Sequence, residues 1–212
     1  MLQNQAQALP PLYRLSGLAG LTSNNIVVGV ISSYKIDSSV FGDEDYTKIV
    51  SYIGTFAHGN FGNFGNSGLN LGSVQTIGKE TFFSNKLSIS KNYYNSVKHI
   101  GNYAFSGASS TTANGKWSSV ESIGERAFQG LDNGLEVYFT DNLKTVDPLA
   151  FYNGTSNTFI IHFGSEEITM PSNIFGGDGK FEIYASGALY EQLNAAYSGY
   201  DNIEIKVNNG TL

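Results

Sequence analysis

The 212-residue chain has no cysteine and few charged residues. The lack of cysteine excludes disulfide bonds, thiolate metal sites and a cysteine nucleophile. Charged residues make up 14 % of the sequence, well below the roughly 25 % of an ordinary soluble domain. With only 12 Lys and Arg and a formal net charge of −6, the chain lacks the basic surface that binds phosphates, so we expect no nucleic-acid partner.

Long hydrophobic runs are also missing, because no window of the sequence reaches the 18 apolar residues that a membrane span needs. We therefore expect no membrane insertion.

The three histidines (His58, His99 and His162) share no metal-ligand spacing, and no serine, histidine and carboxylate recur together. We expect no metal site, no cofactor, no catalytic residues and no enzymatic activity.

What the sequence does contain is a six-residue motif with a period of 23. The four regular copies are IGKETF at 77–82, IGNYAF at 100–105, IGERAF at 123–128 and VDPLAF at 146–151, and MPSNIF at 170–175 follows one residue late. Another apolar residue lies three positions before each regular copy (Val74, Val97, Val120 and Leu143). Because a 23-residue unit cannot bury its apolar side alone, the units must stack as the coils of a solenoid.

The pattern inside each unit predicts its local structure. Alternating apolar residues at 135–139 and 159–163 indicate strands, which pair in parallel between coils about 4.8 Å apart. The glycine after each Ile (Gly78, Gly101 and Gly124) predicts a positive φ or a tight bend. The Ala-Phe pair predicts a short helical turn whose phenylalanine fills the core. We therefore predict a mainly β repeat solenoid of five or six coils.

The domain boundaries follow from where the repeat is regular. We expect an N-terminal arm and cap at residues 1–30, then a solenoid at residues 31–207. Within it, coils 31–72 are degenerate, coils 73–176 are regular and residues 177–207 form a C-terminal cap, with a tail at 208–212. The cap should contain a helix with Leu189, Leu193, Ala196 and Tyr200 on one face, then a strand at 203–207. Residues 1–20 are candidates for homo-oligomer assembly.

The Ile-Gly-x-x-Ala-Phe core every 23 residues resembles the BspA-type leucine-rich repeats of bacterial surface proteins. The sequence departs from that family where Ala108, Leu131 and Gly154 replace its usual cysteine and where Pro171 is its only strand-closing proline. The resemblance implies a right-handed leucine-rich-repeat solenoid without enzymatic activity that acts in adhesion or protein binding. It further implies a cell-surface or extracellular location if a signal peptide has been removed. Without a removed signal peptide, we expect a virion location.

Four aromatic residues outside the repeat template are the candidate ligand-binding residues: Tyr93, Tyr94, Trp117 and Tyr138. On adjacent coils they could form an exposed platform for a protein or glycan partner. The other interpretation is that Trp117 fills the core of a coil that lacks aliphatic residues.

Two functions also stay open: an adhesion or protein-interaction module, and a structural virion component such as a bacteriophage fibre or capsid-decorating protein. The repeat family favours the first, and the low-charge composition, rich in asparagine, glycine, serine and tyrosine, favours the second.

Overall fold

The computed structural model describes residues 26–28, 50–53, 75–84, 94–109 and 113–208. Over these residues the chain is a mainly β solenoid of about five turns with parallel strands and one helix, which confirms the predicted fold. Residues 1–20, Tyr93 and most of residues 31–72 lie outside the described ranges. The described elements are, in chain order, β1 (Ile26–Val28), β2 (Val50–Ile53), β3 (Thr76–Ile77), β4 (His99–Ile100), β5 (Gly115–Trp117), β6 (Ser122–Ile123), β7 (Leu135–Phe139), β8 (Thr145–Val146), β9 (Phe151–Tyr152), β10 (Thr158–Phe163), β11 (Phe175–Gly176), β12 (Lys180–Ala185), α1 (Gly187–Tyr197) and β13 (Ile203–Val207).

Two parallel sheets form two sides of the solenoid. The first sheet has the strand order β1-β2-β3-β4-β6-β8, and the second has the order β13-β12-β10-β7-β5. In the first sheet Thr76 is in register with His99, His99 with Ser122, and Ser122 with Thr145. These steps of 23 residues are the sequence period, so each copy of the motif forms one coil.

The third side is the turn that carries the Ala-Phe pair. Its backbone amides bond to the next coil at every second residue: the amide of Phe82 donates to the Ala104 carbonyl at 2.7 Å, and the amide of Phe105 donates to the Ala127 carbonyl at 2.8 Å. The turn is thus held between coils as well as within its own coil. This explains how a segment with few internal bonds keeps its shape.

The core between the three sides is a stack of phenylalanine rings. Phe105 and Phe128 have ring centroids 5.4 Å apart and planes within 4° of parallel, and Phe128 and Phe151 repeat this geometry at 5.5 Å. The full series is buried and consists of Phe82, Phe105, Phe128, Phe151 and Phe175. The periodic phenylalanines therefore fill the core, as the motif predicts.

The prediction about the motif glycines needs a correction. Gly101 and Gly124 do not have a positive φ, and a Cβ on either would lie 2.7 Å from backbone atoms of the preceding coil. Their role is close approach of two coils. The positive φ occurs two residues later, at non-glycine positions of each turn: Glu80, Tyr103, Arg126 and Leu149, with φ between 53° and 57°.

Asparagine side chains bond neighbouring coils to one another. The Asn102 side-chain oxygen accepts the amide of Glu125 at 3.1 Å, and that of Asn114 accepts the amide of Glu136 at 2.9 Å. Asn157 donates to the Asp132 carbonyl at 2.8 Å, and Asn202 donates to the Gly179 carbonyl at the same distance. These bonds give the abundant asparagines a structural role at coil edges, where backbone groups would otherwise lack partners.

The helix α1 and the strand β13 cover the last coil. Leu189, Leu193 and Tyr197 are the buried residues of α1, and the Tyr197 hydroxyl donates to the Ser172 carbonyl at 2.6 Å. The predicted face was therefore partly wrong, because Ala196 and Tyr200 are exposed. The helix ends at Tyr197, so Tyr200 lies beyond its last turn and the i, i+4, i+8 series from Leu189 defines the buried face.

Candidate binding surface

The four predicted aromatic residues do not lie on one exposed surface. Tyr94 and Trp117 are fully buried, and their rings stack with centroids 3.8 Å apart. The Trp117 indole nitrogen donates to the Ala113 carbonyl at 3.1 Å, so its polar atom is satisfied inside the protein. The exposed platform containing these two residues is therefore wrong, and the core interpretation of Trp117 is right.

The reason lies in the strand pattern of β5. Gly115 and Trp117 point inward and Lys116 points outward, so the alternation of the strand places the indole in the core. Trp117 is in register with Phe139, and Phe139 with Phe163, so the indole continues a column of buried aromatic rings on the inner face of the second sheet. Tyr93 lies outside the described residues, and Tyr138 is the remaining member of the set on the surface.

Tyr138 belongs to a row of three aromatic side chains on the outer face of the second sheet. Tyr138 is in register with His162, and His162 with Tyr184. The centroids of Tyr138 and His162 are 4.2 Å apart, those of His162 and Tyr184 are 4.3 Å apart, and both pairs are within 9° of parallel. We call Tyr138, His162 and Tyr184 the aromatic row.

The ring faces of the aromatic row cover one another. Strands in a sheet are about 4.8 Å apart, so rings that stack at this spacing stand upright and turn their edges toward solvent. At the Tyr184 end of the row, the Lys206 ammonium lies 5.5 Å from the centroid of the Tyr184 ring and covers the ring face that His162 does not contact. The row thus offers ring edges and hydroxyl groups to a partner.

Carboxylates beside the aromatic row fix its hydroxyl groups. The Tyr138 hydroxyl donates to the Glu136 carboxylate, and that of Tyr184 donates to Glu182 at 3.4 Å. The bond to Glu136, with some burial, raises the pKa of Tyr138 to about 12. Glu182 also accepts a bond from Lys206 at 2.9 Å, which lowers the pKa of Glu182.

His162 in the middle of the row is held neutral. Its position between two tyrosine rings removes water from the imidazole, and this desolvation lowers its pKa even though the carboxylate of Glu136 opposes the effect. An uncharged imidazole stacks on both rings without the cost of burying a charge. The row is therefore rigid, aromatic and uncharged at neutral pH.

Sequence reasoning missed His162 and Tyr184, although a signal for them was present. Aligning the strands LEVYF (135–139), FIIHF (159–163) and FEIYA (181–185) on their apolar residues places Tyr138, His162 and Tyr184 in one column. Strands of parallel coils stack in register, so a shared column predicts a shared row. The column is not evident from the repeat motif, because its three residues are not of one type and lie outside the motif.

Among the described residues, no group of three His, Asp or Glu side chains lies close enough together to hold a metal ion. No described helix has both the length and the hydrophobicity to cross a bilayer.

The BspA-type leucine-rich repeat region model matches residues 51–181 in six copies. Comparison with curated proteins and with solved structures gives no match. Repeat regions of this type are typically protein-interaction scaffolds without enzymatic activity, and the proteins that contain them are typically surface or extracellular. Since the match covers more than half of the chain and agrees with the coil-by-coil register, this chain belongs to the BspA-type leucine-rich repeat family.

Proposed function

We propose that the chain is a non-enzymatic adhesion module of the bacterial surface type and that it binds a protein partner through the aromatic row. The single observation that carries this proposal is the in-register stack of Tyr138, His162 and Tyr184 on an outer sheet face. Tyrosine is one of the residue types that contribute most to protein interfaces. Because stacking already fixes these rings, little side-chain entropy opposes binding.

The orientation of the rings favours a protein over a sugar at this face. A sugar ring stacks on an open aromatic face, whereas both ring faces of His162 and Tyr184 and one face of Tyr138 are covered by neighbouring rings or by Lys206. Ring edges, phenol oxygens and the nearby carboxylates of Glu136 and Glu182 instead suit the mixed apolar and polar contacts of a protein interface.

An adhesion assay tests this proposal. Beads coated with the protein are applied to a decellularised epithelial matrix, with and without prior protease treatment of the matrix. We expect adhesion that protease abolishes and that the double substitution Tyr138→Ala with Tyr184→Ala reduces at least tenfold. Tyr200→Ala is the matched control, because Tyr200 is 58 % exposed and lies outside the sheet. Adhesion that survives the double substitution would overturn the proposal.

A structural virion component is the second candidate function. The low charge and the abundance of asparagine, glycine and serine support it, and assembly through residues 1–20 belongs to this version. Immunogold labelling with an antibody against the chain separates the two candidates: label on cell envelopes supports the adhesion module, and label on phage particles supports the virion component. Deleting residues 1–20 and measuring mass by light scattering tests the assembly prediction.

A further inference from the structure

A shallow groove lined by both polar and apolar atoms runs across the coils on the outer side of the first sheet, a different face from the aromatic row. Its floor follows the motif glycines Gly78, Gly101 and Gly124. A side chain at Gly101 or Gly124 would collide with the preceding coil, so close packing of the coils leaves this floor without side chains. The groove is therefore a fixed feature of the stacked repeat.

One wall of the groove is a row of hydrogen-bonding side chains without a carboxylate, an ammonium or a guanidinium, at equivalent positions of successive coils. These positions are Thr76, His99, Ser122 and Thr145. His99 Nδ1 and the Ser122 hydroxyl share a hydrogen bond of 2.9 Å. The wall therefore repeats a polar group at every coil, with a spacing of about 4.8 Å.

The groove is close to electrically neutral. Lys98 and Glu121, which precede His99 and Ser122 in the chain, form an ion pair of 3.0 Å and offset each other. Asn102 and Asp147 also line the groove, so a single carboxylate is the net charge among the residues named here. A charged polymer has no complementary surface in this groove, whereas an uncharged chain of hydroxyl groups does.

We propose that this groove binds an uncharged linear polysaccharide, extended along the solenoid axis. A hexose unit in an extended β-1,4-linked chain is about as long as the coil spacing, so successive sugars meet successive members of the row formed by Thr76, His99, Ser122 and Thr145. The side-chain hydroxyls and the imidazole exchange hydrogen bonds with the sugar hydroxyls, and the sugar rings lie over the glycine backbone that lines the groove.

Calorimetric titration of the full chain with cellohexaose and chitohexaose tests the proposal. We expect binding of at least one hexamer, and about tenfold weaker binding after Ser122→Ala with Thr145→Val, since each lost hydrogen bond costs a few-fold in affinity. The matched control is Tyr138→Ala with Tyr184→Ala, which alters the other sheet and should leave sugar binding unchanged. Melting curves of both variants establish that they are folded.

Several outcomes would overturn the proposal. They are no heat from either hexamer, unchanged affinity in the groove variant, loss of sugar binding in the aromatic-row control, or preference for a polyanionic oligosaccharide such as a galacturonate hexamer. The groove proposal can fail while the protein-binding proposal stands, because the two experiments change residues on different sheets.

Discussion

Tyr94 lies flat against Trp117 inside the solenoid, with ring centroids 3.8 Å apart and planes inclined by 19°. The edge of the indole also contacts Phe105 and Phe128, at centroid distances of 5.6 and 6.2 Å. The pair therefore packs against the phenylalanine stack. It fills the core beside β5, the strand that contains no aliphatic residue.

Truncating this pair should therefore destabilise the fold. Trp117→Ala is expected to lower the free energy of unfolding by about 3–5 kcal/mol, since it removes a fully buried ring and its hydrogen bond. Tyr138→Ala on the outer face should cost no more than about 1 kcal/mol. Urea unfolding curves of the two variants give the comparison, and equal losses would mean that the indole is not a core residue.

Phe128 should be one of the most sensitive positions of the repeat, because its ring lies between two others. Its centroid is 5.4 Å from that of Phe105 and 5.5 Å from that of Phe151. Phe128→Ala should lower the free energy of unfolding by about 3–5 kcal/mol, and Phe128→Leu, the matched control that keeps most of the volume, by clearly less. A loss below about 1 kcal/mol for the alanine variant contradicts the core assignment.

The positive φ of Ser84 offers a stabilising substitution. Ser84 has φ 53°, while the equivalent residues one and two coils later are glycines, Gly107 and Gly130, with φ 65° and 59°. Since a residue with a Cβ is strained in this region, Ser84→Gly should raise stability by about 1 kcal/mol, which corresponds to about 2–4 °C in Tm. The reverse control, Gly107→Ala, should lower Tm, and an unchanged Tm in both variants would count against the strain.

The phenol of Tyr138 should lose its proton at a higher pH than the phenol of a free tyrosine. Its bond to the Glu136 carboxylate raises its pKa to about 12, against about 10 for a free tyrosine. The raised pKa means that the neutral phenol stabilises the fold fully below pH 10, and that this contribution is lost as the pH rises toward 12. Glu136→Gln should lower the pKa of Tyr138.

The titration is followed by NMR of tyrosine labelled with ¹³C at Cζ, with Tyr138→Phe to assign the signal. Wild-type Tyr138 titrating near 10, or a pKa that Glu136→Gln leaves unchanged, would show that the hydrogen bond across the face of the second sheet is not formed in solution.

The sequence was a good guide wherever a residue type recurred at the coil period. The phenylalanines from Phe82 to Phe175 and the strands at 135–139 and 159–163 were predictable, because stacking demands the same kind of side chain at the same place in each coil. The C-terminal helix was predictable from its own 3.6-residue apolar period. Tyr138 was also singled out as a surface residue. The solenoid class follows from these columns alone.

The rest could not be predicted because it depends on contacts between coils that share no residue type. Trp117 was ambiguous, since its burial depends on the inward phase of a three-residue strand. Gly101 and Gly124 were assigned to turn geometry, whereas they are glycines because a neighbouring coil is too close for a Cβ. The aromatic row mixes tyrosine with histidine, so only the strand register reveals it.

The most direct test of the central claim, that the aromatic row is the contact surface, is hydroxyl-radical footprinting of the full chain. The protein is oxidised alone and in complex with the protein fraction eluted from the decellularised epithelial matrix of the adhesion assay. We expect at least threefold protection of Tyr138, His162 and Tyr184, with Tyr200 unchanged as the internal control. Equal oxidation of the aromatic row in the free and the bound protein would mean that the row is not the contact surface.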